Sequence, residues 1–195
     1  MSAPEGTFVS RAGLKLAAAL EALGLAVARW VCVDLGCNVG GFTDCLLQRG
    51  ATRVYAVDTG YGTLAWKLRR DPRVVVMERT NALRAEPREP VDLAVIDVGW
   101  TPQRLILPAA GRWLKPAGQI LSLLKPHYEA ADQASPQRRG GPAAHVLTGE
   151  QARRQCLLTC QQLAADGWDI RAVVLSPIAG AGGNLEFMLH LRGRT

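Results

Sequence analysis

Residues 31–58, VCVDLGCNVGGFTDCLLQRGATRVYAVD, constrain the fold more than any other stretch of this chain. The run reads as a buried strand, a glycine-rich turn, a helix from about Phe42, and a second buried strand that ends on the carboxylate of Asp58. Such a unit builds a parallel sheet and leaves a ligand site at the strand ends. Glycines at 36, 40 and 41 let backbone approach a ligand closely. The helix start presents amide groups to an anion. Asp58 can accept hydrogen bonds from both hydroxyls of a ribose.

A dinucleotide fingerprint needs glycines at i, i+2 and i+5. Counting from Gly36, the middle place is Asn38, so the glycine that lets a pyrophosphate lie on the backbone is absent. The spacing D-x-G-x-x-x-G suits a nucleoside ligand with no pyrophosphate. S-adenosylmethionine fits, with its adenosine at Asp58 and its methionine end at the glycine turn and Asp34. The expected cofactor contacts are Asp34, Gly36, Asn38, Gly40, Gly41, Phe42, Asp58, Asn81 and Asp97. The plainer alternative is a strand–turn–helix with purely structural glycines.

The rest of the chain continues the alternation. Helical spacing covers 10–23, with Ser10 as the expected cap and Gly24 as the stop. A short helix is expected over 63–70, a strand over 73–77, a strand over 92–97, and a helix from about 102 to 114. Pro116-Ala117-Gly118 reads as a turn into a strand over 119–124. Residues 126–147 show no convincing periodicity and read as a long loop. Thr148 is expected to cap a helix to about 166. Strands over 168–175 and 184–191 follow with no helix between them, so they should pair antiparallel. The expected fold is α/β: a Rossmann-like, seven-stranded S-adenosylmethionine-dependent methyltransferase fold, mostly parallel, with a C-terminal antiparallel strand. We expect a single domain over 1–195, with 1–28 as a helical extension contributing to the active site.

Composition excludes several classes. With 48% hydrophobic and 21% charged residues, the chain has the makeup of a globular domain. No apolar run is long enough to span a membrane. The N-terminus resembles neither a signal nor a transit peptide, so a cytoplasmic protein is expected. Cysteines at 32, 37, 45, 156 and 160 are odd in number and lack any C-x-x-C, which argues against a disulfide framework and a metal site. The net charge of +6 and the pI near 9.4 favour a polyanionic partner such as RNA.

Chemistry is expected where strands meet the cleft. Asp97 ends the strand LAVID and Lys125 ends the strand LSLLK. A lysine closing an apolar strand is a poor choice for mere solubility. Desolvation and a second cation, which Lys15 can supply, would favour the neutral amine as a base. Glu186 interrupts an apolar alternation, where a carboxylate needs a partner. A structural salt-bridge cluster is the alternative for these four. Tyr61 and Trp66 are placed to stack on a base or to pack. His127 and Tyr128 are placed to line an acceptor pocket.

On these motifs the chain resembles the FtsJ-like RNA 2′-O-ribose methyltransferases, in their TlyA-type (hemolysin A) branch. FVSRAGLKL, PVDLAVIDV, LLKPHYE and SPIAGAGGNLEF carry the resemblance, together with 40–82. It implies a Lys-Asp-Lys-Glu tetrad at Lys15, Asp97, Lys125 and Glu186. Lys125 would take the proton of the ribose 2′-hydroxyl and Asp97 would orient it. Lys15 and Glu186 would tune charge and position the ribose. The substrate implied is RNA, ribosomal RNA first. The branch usually carries an S4 RNA-binding module ahead of this domain. The chain begins at the catalytic domain, so a protein partner replacing the module is an expectation. Where the branch reads Ala-Ser-Thr-Gly-Gly and Ser-Phe-Ile-Ser, this chain has 37–41 CNVGG and 99–102 GWTP. The other readings are a methyltransferase of small molecules, and a binding module for S-adenosylmethionine and RNA or protein with little catalysis.

Overall fold

The computed structural model describes residues 7–134 and 146–192. Seven strands form one sheet: β1 (Val31–Leu35), β2 (Arg53–Val57), β3 (Val74–Met77), β4 (Val91–Ile96), β5 (Leu114–Leu124), β6 (Asp169–Leu175) and β7 (Phe187–Arg192). Their order is β3-β2-β1-β4-β5-β7-β6. β1 to β5 pair in parallel, and β7 runs antiparallel to both β5 and β6. The expected seven-stranded, mostly parallel fold is therefore present.

Strand periodicity assigns side chains to two cores. Val33, Leu35, Tyr55, Val57, Ala94 and Ile96 enter one. Cys32, Val54, Ala56, Leu93 and Val95 enter the other, with α1 (Ala12–Ala22) and α2 (Gly41–Gln48). Successive residues of a strand point to opposite faces, so near-continuous apolar strands require cover on both. The chain leaves β1 toward β2 on one side and reaches β4 on the other. The switch point thus lies at the carboxyl ends of β1 and β4, where open α/β sheets bind ligands.

Four local expectations need correction. Ser10 makes no side-chain cap; α1 begins after Arg11, and Ser10 contributes only its carbonyl, which accepts from the Gly13 amide at 3.1 Å. Residues 116–118 are no turn between elements, because β5 runs through them with a register shift against β4 at Val91/Leu93. The first part of the expected long loop is helical, as α5 (Pro126–Ala134). Proline at the first helical position supplies a pre-set φ and lacks an amide that would have no partner there. The remainder, 135–145, lies outside the described residues. The short helix over 63–70 shrinks to α3 (Trp66–Arg69).

Other signals are present as read. Gly24 ends α1 with φ of 62°, a conformation that costs glycine no Cβ clash. Thr148 caps α6 (Gly149–Ala165) in a reciprocal capping box with Gln151. α4 (Gln103–Gly111) differs: Pro102 precedes it and no local side chain caps it.

Candidate active site

Register explains how residues distant in sequence meet. Leu35 pairs with Ile96, so Gly36 and Asp97 emerge side by side, and the Asp97 amide donates to the Leu35 carbonyl at 3.1 Å. Leu124 pairs with Phe187 in the antiparallel ladder. Lys125 and Glu186 therefore sit one step beyond that pair, at the same edge. α1 packs against α2 and β7, which brings Lys15 to Glu186.

The four side chains form two ion pairs. Lys125 Nζ lies 2.5 Å from Asp97 Oδ1 and 3.1 Å from the Val98 carbonyl. Lys15 Nζ bonds Glu186 Oε2. Lys15 and Glu186 side chains are 12% and 3% exposed, against 15% and 20% for Lys125 and Asp97. The first pair is thus closed in, while the second keeps more access. Lys15 was expected as a second cation beside Lys125; its bonded partner is Glu186. Gly180 gives Glu186 its space, because a Cβ there would fall 2.0 Å from Glu186 Oε1. Sequence reading missed Gly180, whose only signal was its place in the turn-rich run before Glu186. Gly180→Ala is expected to displace the carboxylate from Lys15 and to destabilise the fold by about 1–3 kcal/mol, the usual cost of overpacking. Urea unfolding of the variant checks this, and an unchanged midpoint would refute it.

Two adjoining hollows share Gly36, Asn38, Asp97 and Gly99. The larger, about 500 Å³, is bordered by Asp58, Thr63, Thr80, Asn81 and Trp100. The smaller, about 320 Å³, is bordered by Ser10, Asp34, Cys37, Phe42 and Lys125. Asn38 and Trp100 both stand at positive φ, 47° and 53°. Asparagine tolerates this region, whereas for a bulky tryptophan it is a strained outlier of the kind that gathers at working sites.

Each expected contact residue can now be located. Asp58 Oδ2 accepts from the Asn38 amide at 2.8 Å and Oδ1 from the Gly60 amide at 2.7 Å. Its carboxylate is thereby fixed at the border of the larger hollow with further lone pairs to offer. Asn81 borders the same hollow while its Oδ1 accepts from the Leu83 amide at 2.9 Å. Asp34 is fully buried, and Oδ2 accepts from the Thr43 amide and hydroxyl at 2.9 and 2.6 Å. That amide, in the first turn of α2, therefore points to Asp34. Asp34 Oδ1 is buried with no partner among the described residues. Burial pushes Asp34 up to about 7, against the Thr43 bonds that pull it down. Phe42 and Gly41 border the smaller hollow. The glycines at 40 and 41 serve packing: a Cβ at Gly40 would meet Leu68 at 2.3 Å, and one at Gly41 would meet Ser10 Oγ at 2.2 Å.

Tyr61 and Trp66 are 72% and 70% exposed, so neither packs in the core. Arg79 lies 4.1 Å over the Tyr61 ring. His127 is buried against Tyr128, with ring centroids 4.2 Å apart. Burial first, and Lys125 second, depress His127, which is therefore neutral near pH 7. Burial also pushes Cys37 far up, which leaves it a protonated thiol beside the smaller hollow. Among the described residues, no three His, Cys, Asp or Glu side chains form a metal-binding group. No helix among them is long and apolar enough to cross a membrane.

A seven-stranded sheet in this order, with its cleft at this switch point, is the Rossmann-like fold of methyltransferases. The chain belongs to the FtsJ-like methyltransferase family, which it matches over residues 8–193. It is 41% identical over 194 residues to the 16S/23S rRNA (cytidine-2′-O)-methyltransferase TlyA of Mycobacterium tuberculosis, covering 98% of this chain and 70% of that one. It is 42% identical over 188 residues to YqxC of Bacillus subtilis, named "Putative rRNA methyltransferase YqxC", covering 94% and 65%. The chain thus spans about two thirds of the length of these relatives. Among solved structures, a protein named "Putative hemolysin from Streptococcus thermophilus" superposes with a TM-score of 0.86 at 38% identity, covering 98% of this chain and 69% of that one.

Proposed function

We propose that this domain transfers the methyl group of S-adenosylmethionine to a ribose 2′-hydroxyl of RNA, ribosomal RNA first. The single observation that carries the reading is the Lys125–Asp97 pair at the junction of the two hollows. The family is S-adenosylmethionine-dependent, and relatives named for rRNA 2′-O-methylation extend over nearly the whole chain. A basic balance of +6 suits a polyanionic substrate.

The donor set fits the cofactor. Asp58 offers a fixed carboxylate to a ribose diol, and Asp34 Oδ1 is a buried acceptor that lacks a partner among the described residues. Asn81 is assigned to the adenine edge. Gly36, Asn38, Gly40, Gly41 and Phe42 are assigned to the turn around the methionine end, and Asp97 to the methyl end. When bound, S-adenosylmethionine supplies an electrophilic methyl group on a sulfonium centre.

The residues of the chain then have separate tasks. Lys125 Nζ is held by its contacts to Asp97 Oδ1 and the Val98 carbonyl, which leaves a further position on the nitrogen for the 2′-hydroxyl. Lys125 is assigned to take the proton of that hydroxyl as the oxygen gains its methyl group. Asp97 fixes the direction of the Lys125 side chain. Lys15 neutralises Glu186, which keeps a second carboxylate from holding the Lys125 ammonium. Most of the rate advantage comes from holding oxygen, base and donor in line. Helix α1 is assigned to the site through Lys15.

Calorimetry on the purified chain tests the cofactor half of this reading. Wild type should bind S-adenosylmethionine saturably, and Asp58→Ala should weaken it at least tenfold, about 1.4 kcal/mol. Equal affinity in the two proteins would remove Asp58 from the site.

A further inference from the structure

α4 begins without a cap of its own. Its first turn holds no acidic residue, and the residue before it, Pro102, has no side chain that can accept. The orphan amide of Gln103 is instead met from another helix: it donates to Glu129 Oε1 at 2.9 Å. Both residues are buried, Gln103 at 2% and Glu129 at 7% exposure. A buried carboxylate costs several kcal/mol unless it is compensated, and a helix N-terminus is a favourable place for it.

Gln103 then carries the contact to the sheet. Ser122 Oγ donates to Gln103 Oε1 at 2.6 Å, and Gln103 Nε2 donates to the Leu123 carbonyl at 3.3 Å. Glu129 lies in the first turn of α5, where its amide and that of Tyr128 donate to the Lys125 carbonyl. From the other side, Lys125 Nζ reaches the Val98 carbonyl in the segment that leads to Pro102. These contacts close a ring: Lys125, Glu129, Gln103, then back through 98–102 to Asp97 and Lys125.

We propose that Glu129, acting through Gln103 and Ser122, is a positioning residue for the Asp97–Lys125 pair. It clamps the start of α4 to the start of α5, the two helices that follow Asp97 and Lys125 in the chain. The proposal rests on the reading of Lys125 as the base, but the clamp itself has a readout that does not need activity.

Amide hydrogen exchange and methyl-transfer kinetics on Glu129→Ala, Glu129→Gln and Thr148→Ala test it together. Thr148→Ala removes the cap of α6, away from the site, and controls for a general loss of stability. In Glu129→Ala the Gln103 amide should exchange at least tenfold faster. The Asp97 amide, bonded to Leu35, should do the same. Neither should change in Thr148→Ala. Glu129→Gln keeps an acceptor oxygen and should restore both. On RNA, Glu129→Ala should lower kcat at least tenfold with KM within about twofold, and Glu129→Gln should recover most of kcat. An Asp97 amide that stays as protected as in wild type, or a Glu129→Gln no better than Glu129→Ala, overturns the proposal. A wild-type protein with no 2′-O-methylation would defeat the proposed function instead, and the exchange result would still decide the clamp.

Discussion

Lys125→Ala is expected to lower 2′-O-methylation of RNA by about 10²–10⁴-fold, the range lost when a positioned general base is removed. S-adenosylmethionine affinity should fall much less than kcat, because Asp58 and Asn81, assigned to the adenosine, border the larger hollow, and Lys125 shares only the smaller one with the groups assigned to the methionine end. The loss should fall on kcat, since the lysine acts on a proton that moves only as the methyl group does. Asp97→Ala should show a smaller loss in kcat joined to weaker cofactor binding, because Asp97 borders both hollows. Lys125→Arg should not rescue: a guanidinium stays protonated and offers no lone pair. Single-turnover transfer of a labelled methyl group, with calorimetry on the same preparations, checks all three. Methylation that survives in Lys125→Ala would move the base to another residue. RNA association and phenotype that survive without methylation would favour a binding module.

Much of this site was legible in the sequence because a buried parallel sheet concentrates function at strand ends. Asp58, Asp97 and Lys125 each follow an apolar run directly, and that is where the structure has them at the cleft. The antiparallel end of the sheet followed from two strands with no helix between them. Pairings were harder. Lys15 and Glu186 are 171 residues apart, and nothing local in either segment names the other. The capping of α4 by Glu129 was invisible for the same reason. Where local rules were applied, tertiary structure overrode several. Pro116-Ala117-Gly118 has turn composition, yet Leu114 before it and Gln119 after it both pair with β4, which makes it the irregular part of one strand. Gly40 and Gly41 read as ligand-approach glycines, and the structure adds a packing reason for both, because the volumes their side chains would take are held by Leu68 and Ser10.

Gly36 is the position where fold and site depend on the same atom, and Gly36→Ala is expected to destabilise the protein by about 2–5 kcal/mol. Two terms add. Its φ of 89° lies in the left-handed region, where a Cβ costs about 1–2 kcal/mol. The same Cβ would sit 2.5 Å from the Asp97 carbonyl oxygen, and forcing bulk into a packed place costs about 1–3 kcal/mol more. The clash is with backbone, so no rotamer change relieves it. The Gly36 and Cys37 amides both donate to the Val57 carbonyl, at 2.9 and 3.1 Å, which anchors the turn on the β2 side as well. The strand end carrying Asp97 must therefore move, and Asp97 would leave Lys125. Urea unfolding should show the stability loss, and methyl transfer measured well below the unfolding midpoint should still be at least tenfold down. A variant that loses stability but keeps wild-type kcat would mean that Asp97 tolerates displacement, and that its distance to Lys125 is not what sets the rate. Gly50→Ala supplies the comparison: it has a similar φ of 88°, with its nearest neighbour at 3.4 Å and no link to the cleft. It should show the strain alone, about 1–2 kcal/mol, with kcat unchanged.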